Sequence, residues 1–306
     1  MRKFWWSVLA SCFIYTVSYS QVKDTSIFSL PIQMDEYVLQ ASRDGWDVSS
    51  FIRRVQNDTT FYKAFKTLRI VPYTAVNDIR ILGKGNSVRA SLYSKTRQTI
   101  SKGCRSMTVL EEKTTGDFYK RNKQYNYYTA ELYAYLFFTD KPVCGETNTV
   151  AGSENDRGSG QIEKNKWQLK QLIFNPGSKV AGVPFAGNKA AIFVPDFAKM
   201  YVFKIMFVEY AGEDCYLFTA VPKKEYKDDV IYNELSTWFR KSDYSIMART
   251  YSLSYKTLLY DFDVKMKVRL NEVNGQLVPT SISYGGNWHV ATKKRERAQF
   301  LTTLSF

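Results

Sequence analysis

"LLYDFDVKMKVRL", residues 258–270, decides the fold. From Tyr260 onward, apolar and charged residues alternate without a break. Tyr260, Phe262, Val264, Met266, Val268 and Leu270 fall on one side of an extended chain, and Asp261, Asp263, Lys265, Lys267 and Arg269 on the other. A period of two predicts a strand with one buried and one wet face. The same stretch holds two carboxylates two residues apart, which raises the question of acid/base chemistry. Catalytic carboxylates need burial or a like charge to drive their pKa values apart. Three cations on the same strand face would instead hold both ionised, so Asp261 and Asp263 are read as part of a solvated wall.

Strands continue on either side of it. "YVFKIMFVEYAG" (201–212), "CYLFTAVP" (215–222), "ELSTWFRK" (234–241), the long run "YSIMARTYSLSYKTLLYDFDVKMKVRLNEV" (244–273) that contains it, "QLVPTSISYGGNWHVA" (276–291) and "ERAQFLTTLSF" (296–306) follow one another across short turns. Asn274-Gly275 is the dipeptide favoured in type I′ hairpins, where both positions need positive φ. Consecutive strands joined this tightly run antiparallel, because parallel neighbours require long crossovers. In the strand over 201–210, Tyr201, Phe203, Ile205 and Phe207 share one side, yet Val202, Met206 and Val208 make the other side apolar too. Such a strand is covered on both faces by packed elements, or faces an apolar cavity on one.

Before this region, "VNDIRILG", "SVRASLYSKTRQTI", "CRSMTVLEEK" and "QYNYYTAELYAYLFF", between Tyr73 and Thr139, also read as strands. In the last, Tyr128, Ala130, Leu132, Ala134, Leu136 and Phe138 would share one face, and Tyr125, Tyr127, Thr129, Glu131, Tyr133 and Tyr135 the other. Further upstream, Phe51, Ile52, Val55, Phe61, Phe65 and Leu68 recur at helical spacing, with "NDTT" (57–60) as the expected break between two pieces. A small, polar stretch over 145–161 reads as a loop or linker. A short helix is expected over 162–174, ended by "NPG", with another helical turn near "FVPDFAKM".

The ends and the charge narrow the function classes. "MRK", then "FWWSVLASCFIYTV", then small residues at Ser18 and Ser20 follow the order of a secretory signal peptide, cleaved after about Ser20. The expected organisation is therefore a signal peptide over 1–20, a linker over 21–45 and a single β-rich domain over 46–306 with an insertion at about 141–200. "LASC" (9–12) also matches the pattern in which Cys12 would carry lipid. The chain of 306 residues has a formal charge of +14, or +12 without Arg2 and Lys3. An exported basic protein meets no genome, so nucleic acid is excluded as the partner, and anionic lipid head groups, a membrane surface or an acidic envelope protein take its place. Periplasmic or outer-membrane-associated placement follows. Cys104, Cys144 and Cys215 allow one disulfide with one thiol over, without fixing which two pair.

Motifs for catalysis are thin. His289 is the single histidine, no G-x-S-x-G elbow accompanies it, and no two-histidine metal site can form. "GKG" (83–85) is a tight turn without the rest of a phosphate loop. "KKRER" (293–297) reads as a solvated turn between strands. No catalytic residue, metal or cofactor is expected.

"TWFRKSDYSIMARTYSLSY", "YDFDVKMKV" and "LVPTSISYGGNWHV", set after N-terminal helices in an exported chain, resemble the outer-membrane lipoprotein carriers and their relatives. That resemblance implies an α+β fold, a large curved antiparallel sheet of half-barrel type closed by a few helices, whose hollow holds acyl chains without turnover. The expected function is binding of a lipid or lipoprotein acyl chain in an apolar cup lined by Phe203, Ile205, Phe207, Phe262, Val264, Met266 and Val268. The competing expectation is an envelope scaffold with a fully packed interior.

Overall fold

The computed structural model describes residues 48–150, 174–177, 189–256, 260–290 and 294–306, all within the unit Glu36–Phe306. The expected signal peptide, the linker, most of the loop over 145–161 and all but Phe174 of the helix expected over 162–174 lie outside the described residues.

Alternation in the sequence becomes a single antiparallel sheet of eleven strands. They are β1 (Tyr73–Leu82), β2 (Val88–Ser101), β3 (Cys104–Thr115), β4 (Val143–Cys144), β5 (Tyr201–Tyr210), β6 (Glu213–Pro222), β7 (Tyr232–Arg240), β8 (Ile246–Lys256), β9 (Tyr260–Val273), β10 (Gln276–Val290) and β11 (Glu296–Ser305). Their order is β4-β3-β2-β1-β11-β10-β9-β8-β7-β6-β5, so the sheet is open, with β5 at one edge. The strands form two meanders, β1–β3 and β5–β11, with β4 returning to β3 after a helical segment, and the chain's last strand docks beside β1 with Thr74 opposite Ser305. This closure joins sequence-distant strands and lies beyond what consecutive hairpins imply. The architecture is the expected α+β half-barrel.

On β9 the sequence reading holds residue by residue. Phe262, Val264, Met266, Val268 and Leu270 are buried, while Asp263, Lys265 and Arg269 are exposed. The turn after it places Asn274 and Gly275 at φ 51° and 72°, the positive values that a two-residue I′ hairpin demands. Pro279 sits where the β9–β10 register shifts, a bulge at which a missing N–H costs no ladder bond.

The buried faces meet helices. α1 (Val48–Asn57) and α2 (Thr60–Thr67) are separated at Asp58-Thr59, within the expected break. Asp58 accepts hydrogen bonds from the N–H and hydroxyl of Thr60, which caps the entry to α2. Phe51 of α1 packs on Tyr216, Phe218 and Phe239, with ring centroids 5.7, 6.4 and 5.2 Å away. α2 lies over β10.

One expectation fails. "YTAELYAYLF", Tyr128–Phe137, is not a strand but a helix, α3. Its alternating faces do not exist. Thr129, Ala130, Leu132, Tyr133 and Phe137 are buried together instead. Two interactions with distant strands select the helix. Glu296 of β11 accepts the free N–H groups of Tyr128 (2.9 Å) and Thr129 (2.7 Å), placing a carboxylate at the positive end of the helix. The Tyr133 hydroxyl bridges Asn77 of β1 (2.6 Å) and Thr302 of β11 (2.5 Å). A final helical turn, α4, forms over Pro195–Ala198, as "FVPDFAKM" suggests.

Cys104 and Cys144 are disulfide-bonded across β3 and β4, leaving Cys215 as the buried free thiol among the described cysteines. Beside the disulfide, Glu146 pairs with Arg69 at 2.7 Å and with Arg105.

Candidate functional site

The concave face can be followed along one row of directly opposed residues. From β2 to β5 it reads Ser94, Asn77, Thr302, Ile282, Val268, Arg249, Thr237, Phe218 and Ile205. All nine are buried. Five of the nine are polar and fall in two clusters, which are handled differently.

At the first, Ser94, Asn77 and Thr302 sit beneath α3. Asn77 donates to Ser94 (3.2 Å) and Thr96 (3.4 Å), and Tyr133 supplies the remaining partner. This polar cluster is internally satisfied, which is what burial in a low-dielectric interior requires.

At the second, Arg249 and Thr237 sit beneath α2. The Arg249 Nε–H donates to the Thr237 hydroxyl at 2.9 Å, and the guanidinium carbon lies 4.4 Å from the centroid of the Phe61 ring. Arg249 is 4% exposed. Burial lowers its pKa, opposed by the more distant charge of Asp58. No carboxylate among the described residues forms an ion pair with it. Sequence analysis did not single this residue out, although plain alternation with Tyr251 and Leu253 turns it to the same inner face. The register shifts between Trp238 and Phe239, so that Ile246 faces Phe239 while Ala248 faces Trp238. The alternation of β8 changes phase at Met247.

The seven residues expected to line a cup separate into two groups. Phe262, Val264, Met266 and Val268 form the inner side of β9 and are at most 5% exposed. Ile205 is buried, and Phe203 and Phe207 are half-buried on the edge strand β5. Phe203 stacks on Phe218 at 5.9 Å and Phe207 meets Tyr216 at 5.0 Å. Three strands lie between the groups, and along the row Arg249 is one of the three residues between Val268 and Ile205. The other side of β5 is only partly covered, with Val202 40% exposed.

A cavity lies at the joint of α1 and α2. It measures about 680 Å³ and is bounded by Arg54, Asn57, Asp58, Thr59 and Thr60 of the joint. Phe239, Asp243, Tyr244 and Ser245 border it around the β7–β8 turn, and Glu272, Gly275 and Leu277 around the β9–β10 turn. Tyr244, held at φ 60°, stacks on Tyr216 and carries the Arg54 guanidinium 4.4 Å from its ring centroid. A second cavity, beneath α2 and α3, measures only about 20 Å³, room for about one water molecule.

The polar candidates lie on the outer face. Asp261 pairs with Arg295 (2.9 Å to Nη1), whose hydrogen bonds hold its carboxyl below the usual range. Asp263 is exposed, and His289 stands across from Asp261 in the ladder. In the basic run, Arg295 binds Asp261, Glu296 caps α3 and Arg297 reaches the Gly83 carbonyl. These three residues serve structure.

Fold and site together define an open half-barrel with a buried concave face, helices laid across it and a cavity at their joint. Among solved structures, the chain is similar to an outer membrane lipoprotein-sorting protein domain from Vibrio parahaemolyticus, with 10% identity and a TM-score of 0.25 over 79% of this chain and 87% of that one. It is also similar to a LolA superfamily protein from Nitrosomonas europaea, with 11% identity and a TM-score of 0.24 over 81% and 90% of the two chains. A DUF1329 family protein from Desulfovibrio piger gives 12% identity and a TM-score of 0.23 over 81% and 92%. No family model and no curated protein matches the sequence. The superpositions are loose, and the half-barrel assignment rests on the strand order of this chain.

Proposed function

We propose that this protein is a non-catalytic carrier or receptor of the cell envelope that binds an acyl chain on its concave face. The observation that carries the reading is the cavity of about 680 Å³ at the α1–α2 joint, in a sheet whose inner face carries an uninterrupted row of apolar side chains on β9. Its volume falls in the range of small-molecule sites. Each methylene buried there contributes about 0.8 kcal/mol. α1 and α2 pack onto the sheet through side chains such as Phe51 and Phe61, contacts that can separate without breaking a β-ladder. The half-buried Phe203 and Phe207 extend the apolar surface to the open edge. The excess of basic residues favours anionic lipid surfaces, and the Cys104–Cys144 disulfide suits an oxidising compartment outside the cytoplasm.

A second reading, a scaffold with a packed interior, draws support from the cavity of about 20 Å³ beneath α2 and α3. The two readings part in one experiment. Protein purified from the host envelope is extracted and analysed by mass spectrometry, and the delipidated protein is titrated with a fluorescent fatty acid. Copurifying lipid and saturable binding are expected. Absence of both would establish the scaffold.

A further inference from the structure

Resting on the acyl-chain reading, we infer that Arg249 is an anion anchor at the centre of the concave face, so that the ligand is an amphiphile bound with a carboxylate or phosphate end directed inward. The argument begins with what the fold does elsewhere. On the same inner row, the buried polar group Asn77 is matched by Ser94, Thr96 and Tyr133. Arg105, the other arginine among the strongly buried residues, is paired with Glu146. Arg249 is more deeply buried than Arg105, yet its one side-chain hydrogen bond among the described residues runs from Nε to Thr237. A guanidinium carries five N–H donors, and the four on its two Nη atoms form a planar fork that matches a carboxylate or phosphate. The Phe61 ring 4.4 Å away offers its π-face to that plane, a weaker partner than a charge-assisted bidentate pair.

Location points the same way. Arg249 lies between the two groups of apolar residues along the inner row, on the path from Val268 to Ile205. The cavity at the α1–α2 joint is lined by chain neighbours of both partners of Arg249. Thr60 lines it and is followed in α2 by Phe61, while Phe239 lines it two residues along β7 from Thr237. An acyl chain entering head first would displace Phe61 from the guanidinium and exchange a cation–π contact for two charge-assisted hydrogen bonds. Its hydrocarbon tail would then lie along the β9 wall. A neutral chain would leave the buried cation without a bonded anion, with only the more distant charge of Asp58 acting on it, which is the costly arrangement.

The test compares ligands of one length and different ends. Dodecanoate, dodecyl phosphate, dodecanol and acetate are titrated into the delipidated protein by calorimetry, below micelle-forming concentrations. Dodecanoate or dodecyl phosphate is expected to bind at least tenfold tighter than dodecanol, and acetate not measurably. In Arg249→Met the anionic ligand should lose at least tenfold while dodecanol is unchanged or gains, and Arg249→Lys should recover part of the loss. The wild-type series needs no variant, so a misfolded substitution would not blunt it. Equal affinity of dodecanol and the anionic ligands, or an unchanged ratio in a folded Arg249→Met protein, overturns the anchor while leaving acyl-chain binding intact. Binding of none of the four overturns both.

Discussion

Asp261 shows how a single carboxylate earns its place without chemistry. Hydrogen bonds from Arg295 are the largest cause of its lowered pKa, with smaller charge contributions from Arg295, His289 and Lys256. A carboxyl depressed in the folded state adds stability above its unfolded value, near 3.9, and that stability is lost as pH falls through the folded value. The pair is partly solvated, with side-chain exposures of 44% for Arg295 and 21% for Asp261, so it is worth less than about 1 kcal/mol. Asp261→Asn should therefore cost less than about 1 kcal/mol in urea unfolding at pH 7, and the difference should shrink as pH falls below the unfolded value and through the lower folded one. Lipid binding should not change. This residue was legible from sequence because its direction follows from strict alternation within one strand. Arg249 follows the same alternation, in phase with Tyr251 and Leu253, yet an arginine in a strand reads as a surface cation, and its burial depends on Phe61 of the distant α2.

At the scale of elements, α3 marks where local reading ends. "YTAELYAYLF" is apolar on nearly every side, so periods of 2 and 3.6 fit it almost equally. Ala130, Glu131 and Leu132 favour helix, but the deciding contacts come from Glu296 and Thr302, more than 160 residues away. Glu296→Ala should remove the carboxylate from the α3 N-terminus and cost roughly 1–2 kcal/mol, seen as a lower urea midpoint and a changed near-ultraviolet signal from the tyrosines. The short strand β4 depends on a different device. It pairs with β3 only at Cys104 and Arg105, and the disulfide closes a separation of 40 residues. Cross-links of this span typically stabilise by about 2–4 kcal/mol. Cys144→Ser should lower stability by that order in denaturant titration, and added reductant should then have no further effect. The sequence limited the cysteines to one pair among three, and only the β3–β4 register selects it.

At the scale of the whole molecule, an open sheet must manage two edges, because unpaired strand backbones recruit other strands. The two are unequal. β3 has a register irregularity at Lys95/Thr96, carries Glu111, Glu112 and Lys113, and has its first residues covered by β4. β5 pairs with β6 in unbroken register over all ten residues. It contains no proline, has apolar residues on both faces with Lys204 and Glu209 as its only charges, and among the described residues has no neighbour on its outer side. Bulges and charges protect an edge, whereas a flat apolar one invites pairing. The same openness that extends the apolar surface through Phe203 and Phe207 thus exposes the protein to association. A lysine at Val202, which is 40% exposed, should protect this edge at little cost to the fold, since exposed substitutions usually stay within about 0.5 kcal/mol. Light scattering during slow heating should show Val202→Lys aggregating later than the wild type, with an unchanged urea midpoint. Val109→Lys on the already protected β3 edge should delay aggregation less. Equal protection by the two substitutions would mean that association does not begin at β5.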